Sequence, residues 1–148
     1  MPILAENKKA YFDYQILDTY EAGLVLSGQE VKSIRLGRID LRASYIVIKK
    51  EELWLINASI ASYQPQNTST FYEPTKSRKL LLRKKEIKSL IGKSKEKGLT
   101  LMPLKVYTKS GKIKLEFGIA KGKKQFEKRE QIKKRETERK MREVLKKI

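Results

Sequence analysis

The sequence predicts a mainly β fold with short helices: a small antiparallel barrel followed by a basic carboxy-terminal tail. Three observations predict it. Several runs in the body alternate apolar and polar side chains with period two. Only two stretches of the body carry helix signals. After Gly122 there is neither Gly nor Pro, apolar residues thin out and cations dominate.

The elements follow in order. Phe12, Tyr14 and Ile16 alternate with Tyr11, Asp13 and Gln15, which predicts a strand with one buried face. Gly23 to Leu26 reads as a second short strand. Ser27-Gly28-Gln29-Glu30 fits a capping box, in which hydroxyl and carboxylate each satisfy an orphan amide. The short helix it opens buries Val31 and Ile34, exposes Lys32 and Arg35, and ends at Gly37. Tyr45 to Lys49 and Leu53 to Asn57 form a hairpin around Lys50-Glu51-Glu52. Trp54, in a stretch apolar on both faces, reads as core. Residues 63–77, rich in Pro, Ser, Thr, Asn and Gln, form a long loop.

Lys79 to Leu82 continues as a strand in which Leu81 reads as core. Ile87, Leu90 and Ile91 mark one face of a second helix, ending near Gly98. Leu99 to Thr108 is a strand in which Pro103 implies an edge or a bulge. In the last strand Ile113, Leu115, Phe117 and Ile119 face inward, with Lys112, Lys114 and Glu116 outward. Across the Ser110-Gly111 turn, Lys105, Tyr107 and Lys109 share the outer face, an aromatic among lysines. About six short strands and two helices match an OB-fold-like barrel, the oligonucleotide-binding kind.

Charge points to function. The chain of 148 residues has a formal net charge of +18 and contains no Cys and no His. Thiolate nucleophiles, imidazole bases, disulfides and the usual zinc sites are thereby excluded. Asp13, Asp18 and Glu21 lie close in sequence, which is too little to hold catalytic cations, and no Gly-rich phosphate loop occurs. The expectation is no enzyme, no metal and no cofactor. A surface this cationic implies a polyanion, with affinity set by counterion release. Body candidates are Lys8, Lys9, Lys32, Arg35, Arg38, Lys105 and Lys114. Tyr14 divides between base stacking and core. Glu21 is either an acceptor for ribose hydroxyls and base amines or an ordinary turn carboxylate. No apolar run nears the roughly 20 residues that cross a bilayer, and the amino terminus lacks a secretion signal. A cytoplasmic protein without membrane partners is expected.

The charge divides unevenly. Residues 1–120 carry net +10 and residues 121–148 net +8, which sets the boundary between barrel and tail. Good helix formers and Glu–Lys neighbours favour a helix in the tail, but its apolar residues are too few to dock it firmly. The tail is expected to be disordered when free and helical against a polyanion. Met141, Val144, Leu145 and Ile148 form one helical face at its far end.

Several colinear blocks resemble the SsrA-binding protein (SmpB) family. They are Asn7-Lys8-Lys9-Ala10, Tyr20-Glu21-Ala22-Gly23, the run from Ser27 to Arg35, Arg78-Lys79-Leu80-Leu81-Leu82, Gly98 to Leu104, Ala120-Lys121-Gly122-Lys123-Lys124 and Lys128-Arg129-Glu130. The resemblance implies a trans-translation factor. Such a protein binds the transfer-RNA-like domain of transfer-messenger RNA (tmRNA, or SsrA RNA) as a monomer and delivers it to stalled ribosomes. It implies RNA-binding roles at Asn7, Tyr14, Glu21, Leu81 and Lys114. It further implies a tail that lies in the empty message channel beside 16S ribosomal RNA, through Lys121, Lys123, Lys124, Glu127, Lys128, Arg129, Val144 and Leu145. Phe12, Gln29, Arg83 and Glu127 depart from the residues common in relatives. A general cold-shock-like binder of single-stranded RNA and a ribosomal protein are the competing readings.

Overall fold

The computed structural model of the chain describes residues 2–63, 71–96, 98–123 and 125–146, the last stretch with side chains at 128–130 and 132–143. Among the described residues, nine strands run β1 (Ile3–Glu6), β2 (Tyr14–Leu24), β3 (Ile39–Asp40), β4 (Tyr45–Lys49), β5 (Glu52–Ile56), β6 (Ser59–Ile60), β7 (Arg78–Leu81), β8 (Leu99–Lys109) and β9 (Lys112–Gly122). The same residues form four helices: α1 (Lys8–Asp13), α2 (Gly28–Arg35) and α3 (Lys84–Ser94) between strands, and α4 (Gln125–Lys146) after the last. Antiparallel pairing closes a ring, β8–β4–β5–β7–β2–β9 and back to β8, with β1 added on β8. β3 and β6 pair separately.

The ring buries what the alternation predicts. Ile113, Leu115, Phe117 and Ile119 all point inward from β9, against Leu53, Leu55 and Leu80. Each such side chain contributes ~1.5–3 kcal/mol on burial. The hairpin turn is Lys50–Glu51 alone, both with positive φ, so Glu52 pairs with Lys49. This is the turn whose twist suits a two-residue hairpin. The Ser27 capping box forms in full, and Gly37 follows α2 with φ +76°. Pro103 sits at a bulge in β8, between Pro103 and Lys105, and is buried. α3 ends at Ser94, short of Gly98. Of the expected 63–77 loop, residues 64–70 lie outside the described residues, and 71–77 hold only turns and irregular backbone.

Several expectations are corrected. The strand expected to include Phe12 begins only at Tyr14, because Asn7 caps α1 with its side-chain oxygen on the Ala10 amide at 3.2 Å. Gly23 and Leu24 belong to the same eleven-residue β2 rather than to a separate strand. Trp54 is half-buried on the outside of the hairpin, since Leu53 and Leu55 take the inner face. Leu81 is 52 % exposed, because Leu80 takes the inward position on β7.

β2 and β9 approach closely at one glycine. β2 is bulged between Ile16 and Asp18, opposite Ala120 and Ile119 of β9, and Gly118 pairs with Thr19 next to the bulge. A β-carbon at Gly118 would lie 2.9 Å from the Asp18 carbonyl oxygen and 2.9 Å from Ile16 Cγ2. Gly118→Ala is expected to cost ~1–3 kcal/mol through overpacking, read as a lowered urea midpoint. An unchanged midpoint would show that the two strands separate freely there.

Candidate nucleic-acid interface

Strand register brings distant residues into one row. Gly23 on β2 pairs with Leu81 of β7 on one side and with Lys114 of β9 on the other. The three residues are in close contact: a β-carbon at Gly23 would lie 3.4 Å from Leu81 Cβ and 3.8 Å from Lys114 Nζ, ordinary contact distances. Above it, α2 contributes Arg35, whose Nη2 donates to the Gly111 carbonyl at 3.2 Å. Val31, Arg35, Gly23, Leu81, Ile113 and Lys114 line a groove of about 400 Å³. An apolar floor with cations on its rim accepts a sugar–phosphate strand, the cations replacing its counterions.

Glu21 lies two residues along β2 from Gly23. It accepts hydrogen bonds from the Tyr107 hydroxyl and, at 3.5 Å, from Lys109 Nζ. The Tyr107 hydroxyl is the main influence holding the Glu21 carboxyl below the usual range; burial opposes it, and Lys109 and Lys114 assist. Glu21 is therefore an ionised acceptor set beside Lys114. Tyr107 itself is only 6 % exposed, not the outward aromatic expected, and burial and the nearby carboxylate raise its pKa. Its role in orienting Glu21 has no signal in sequence spacing. Lys109 was visible only as one lysine of an outer face.

The other candidate cations are placed differently. Lys32 is exposed, with its ammonium 5.5 Å from the centre of the Tyr63 ring. Arg38 donates to the Tyr63 carbonyl at 3.4 Å. Lys105 is paired with Glu116 at 3.0 Å, which spends part of its charge within the barrel.

A second cluster stands at the opposite end of β2, nine residues from Gly23 and so about 30 Å along the strand at ~3.3 Å per residue. Lys8 and Lys9 are exposed on α1, and Tyr14 is half-buried. Asn7 is 1 % exposed. Besides capping α1, its side-chain nitrogen donates to the Leu41 and Pro103 carbonyls, and its amide donates to the Leu104 carbonyl freed by the β8 bulge. Any influence of Asn7 on RNA passes through the placement of α1. The tail begins at this end. Lys123 donates its amide to the Asp13 carbonyl at 2.9 Å and its ammonium to the Tyr11 carbonyl at 3.1 Å. Lys128 pairs with Asp13 at 3.3 Å, and Arg135 lies 5.6 Å from the centre of the Phe12 ring. These seven-apart residues share one face of α4. Lys121 and Arg129 are exposed. Lys124 and the side chains of Glu127, Val144 and Leu145 lie outside the described residues.

Among the described residues, no group of three or more carboxylates is placed to hold a metal ion, and no helix is long and apolar enough to cross a membrane.

The model of the SmpB protein family matches residues 4–147. The chain belongs to the SmpB family. An SsrA-binding protein of Carboxydothermus hydrogenoformans is 53 % identical over 143 residues, 97 % of this chain and 95 % of that protein. One of Streptococcus suis is 52 % identical over 146 residues, covering 99 % and 94 %. Among solved structures, a chain described as "tmRNA-SmpB: a journey to the center of the bacterial ribosome" matches with a TM-score of 0.69 and 45 % identity, over 84 % of this chain and 87 % of that one. The SmpB-like barrel thus places Glu21, Leu81 and Lys114, separated by as many as 93 positions, on one face.

Proposed function

We propose that this chain is a non-enzymatic RNA-binding adaptor of trans-translation, acting in the cytoplasm. The barrel, residues 1–120, binds the transfer-RNA-like domain of tmRNA. The tail, residues 121–148, senses the empty message channel of the stalled ribosome. Membership of the SmpB family supports this reading, and so do relatives named for SsrA binding and a structural neighbour described with tmRNA and the ribosome. The observation that carries it is the groove in which Leu81, Gly23 and Lys114 meet beside an ionised Glu21. Cations there neutralise phosphates, while a fixed carboxylate accepts from hydroxyls or base amines and thereby adds selectivity to charge.

Binding of the full chain to the tRNA-like domain, to an ordinary transfer RNA and to an unstructured RNA across a salt series tests the reading. The tRNA-like domain is expected to bind most tightly. Lys114→Glu should weaken that binding and reduce the slope of log affinity against log salt by about one. Preference for the unstructured RNA would favour the cold-shock-like alternative. Unchanged affinity for Lys114→Glu would remove the groove from the interface.

A further inference from the structure

The β4–β5 hairpin is apolar on both faces, and the core uses only one. Ile46, Leu53 and Leu55 are buried inside. On the outer face, Tyr45 pairs with Ile56 and Val47 with Trp54. Tyr45 is 43 % exposed, and the other three are half-buried. Together with Lys49 and Lys50 they line a shallow cavity of about 620 Å³. An outward apolar patch with two aromatics is the informative exception on so charged a surface.

Its rim carries Lys49, Lys50 and Lys79 against Glu51 and Glu52, an excess of one cation. Lys79 of β7 stands beside Trp54 by register, and its ammonium is held by Glu52 at 3.3 Å. Lys49 and Lys50, at the hairpin end, form no ion pair among the described residues. With Glu52 occupied by Lys79, these two ammoniums outnumber the remaining carboxylate of the turn, Glu51, and leave the open end positive. Four partly covered side chains fall far short of the roughly 800 Å² per partner of a stable protein interface. They match the area of one or two nucleobases.

We propose that this face is a second RNA-binding surface, which stacks one or two unpaired bases on Trp54 and Tyr45 while Lys49 and Lys50 neutralise the flanking phosphates. It rests on the RNA-binding reading of the chain and extends it. The surface continues into the groove: on β7, Lys79 faces Trp54 and Leu81, two residues on, faces Gly23, a step of roughly 7 Å. A single-stranded extension of an RNA seated in the groove reaches the hairpin without leaving the sheet.

Trp54 is the only tryptophan of the chain, so its emission reports on the site directly. The full chain is titrated with a dye-labelled, unstructured ten-nucleotide RNA and, separately, with heparin, a polyanion without bases. The RNA is expected to quench Trp54 emission over the same range in which dye anisotropy shows binding, and heparin is not. Trp54→Ala should lower affinity for the RNA by about 5- to 150-fold, the range of one stacked base. Trp54→Phe, which keeps a ring and the fold, should stay within a few-fold. Equal quenching by heparin, RNA binding with no change in emission, or full affinity in Trp54→Ala would overturn the proposal. So would emission that changes with protein concentration alone, because a second copy would then be the occupant. Quenching by the ten-nucleotide RNA in a chain that ignores the tRNA-like domain would leave this surface standing while the tmRNA reading fell. Binding of that domain with a silent Trp54 titration would do the reverse.

Discussion

Arg78→Ala is expected to leave the barrel barely stable or unfolded at room temperature. Arg78 and Glu30 are both about 2 % exposed, and they join β7 to the first turn of α2. The guanidinium donates twice to Glu30 Oε2, at 2.9 and 2.5 Å, and from Nη1 to the Ala58 and Pro74 carbonyls at 2.7 and 2.9 Å. Removing it leaves the buried carboxylate with only the Ser27 amide at 3.0 Å and the Lys76 ammonium at 3.6 Å, and takes a charged donor from both carbonyls, of which that of Pro74 keeps the Ile60 amide. Breaking such a pair from one side costs ~3–5 kcal/mol, against a total of ~5–15 kcal/mol for a domain. Arg78→Lys should recover little, because one ammonium cannot reach acceptors on three sides. A urea titration followed by circular dichroism measures this. A midpoint near that of the parent would show that the pair is dispensable.

The pH dependence has a defined sign. Burial is the largest influence on Glu30 and opposes ionisation. The Ser27 amide and the Arg78 guanidinium together outweigh it, so the carboxyl titrates below its usual range. A depressed folded value means that the stabilisation is fully present above the ordinary glutamate range, near pH 4–5, and is lost as pH falls through the lowered value. The gap in stability between the parent and Glu30→Gln should therefore be full at neutral pH and narrow on acidification.

Much of the fold was legible because it was local. The alternation of Ile113, Leu115, Phe117 and Ile119 and the Ser27–Glu30 box both specify their structures within a few residues. α1 was not legible. Its residues alternate as a strand would, and the six-residue helix exists because Asn7 is held by carbonyls 34 and 96 positions away. Trp54 misled for a related reason: a strand apolar on both faces does not say which face the barrel encloses. The candidate site shows the same limit. The family resemblance marked Glu21, Leu81 and Lys114, but only barrel closure makes Gly23 the neighbour of both Leu81 and Lys114. Tyr107 passed for an exposed aromatic until the same closure turned its hydroxyl onto Glu21. Local pattern reveals which residues are special, and topology reveals what they do together.

That division between barrel and tail leads to the second large effect. Truncation after Lys123 is expected to spare tmRNA binding and abolish tagging on stalled ribosomes. The cut belongs there rather than after residue 120, because β9 stays paired through Gly122, with Tyr14 opposite Gly122 and Gln15 opposite Lys121. Lys123 also ties the strand end to Tyr11 and Asp13. Beyond it, the described contacts of α4 with the barrel are the Lys128–Asp13 pair and Arg135 on Phe12. Partly exposed contacts of these kinds are each worth under ~1 kcal/mol, so the melting of the barrel should hardly move. The removed residues, 124–148, nevertheless carry net +6, a third of the chain's excess charge. If that charge serves the ribosome, affinity for the tRNA-like domain at moderate salt should fall by less than about threefold, under ~0.7 kcal/mol, with an unchanged salt slope. If the charge instead grips tmRNA, slope and affinity fall together. Anisotropy with labelled RNA and a tagging assay on stalled ribosomes read the two functions side by side. Parallel loss of both would mean that barrel and tail act as one RNA-binding unit.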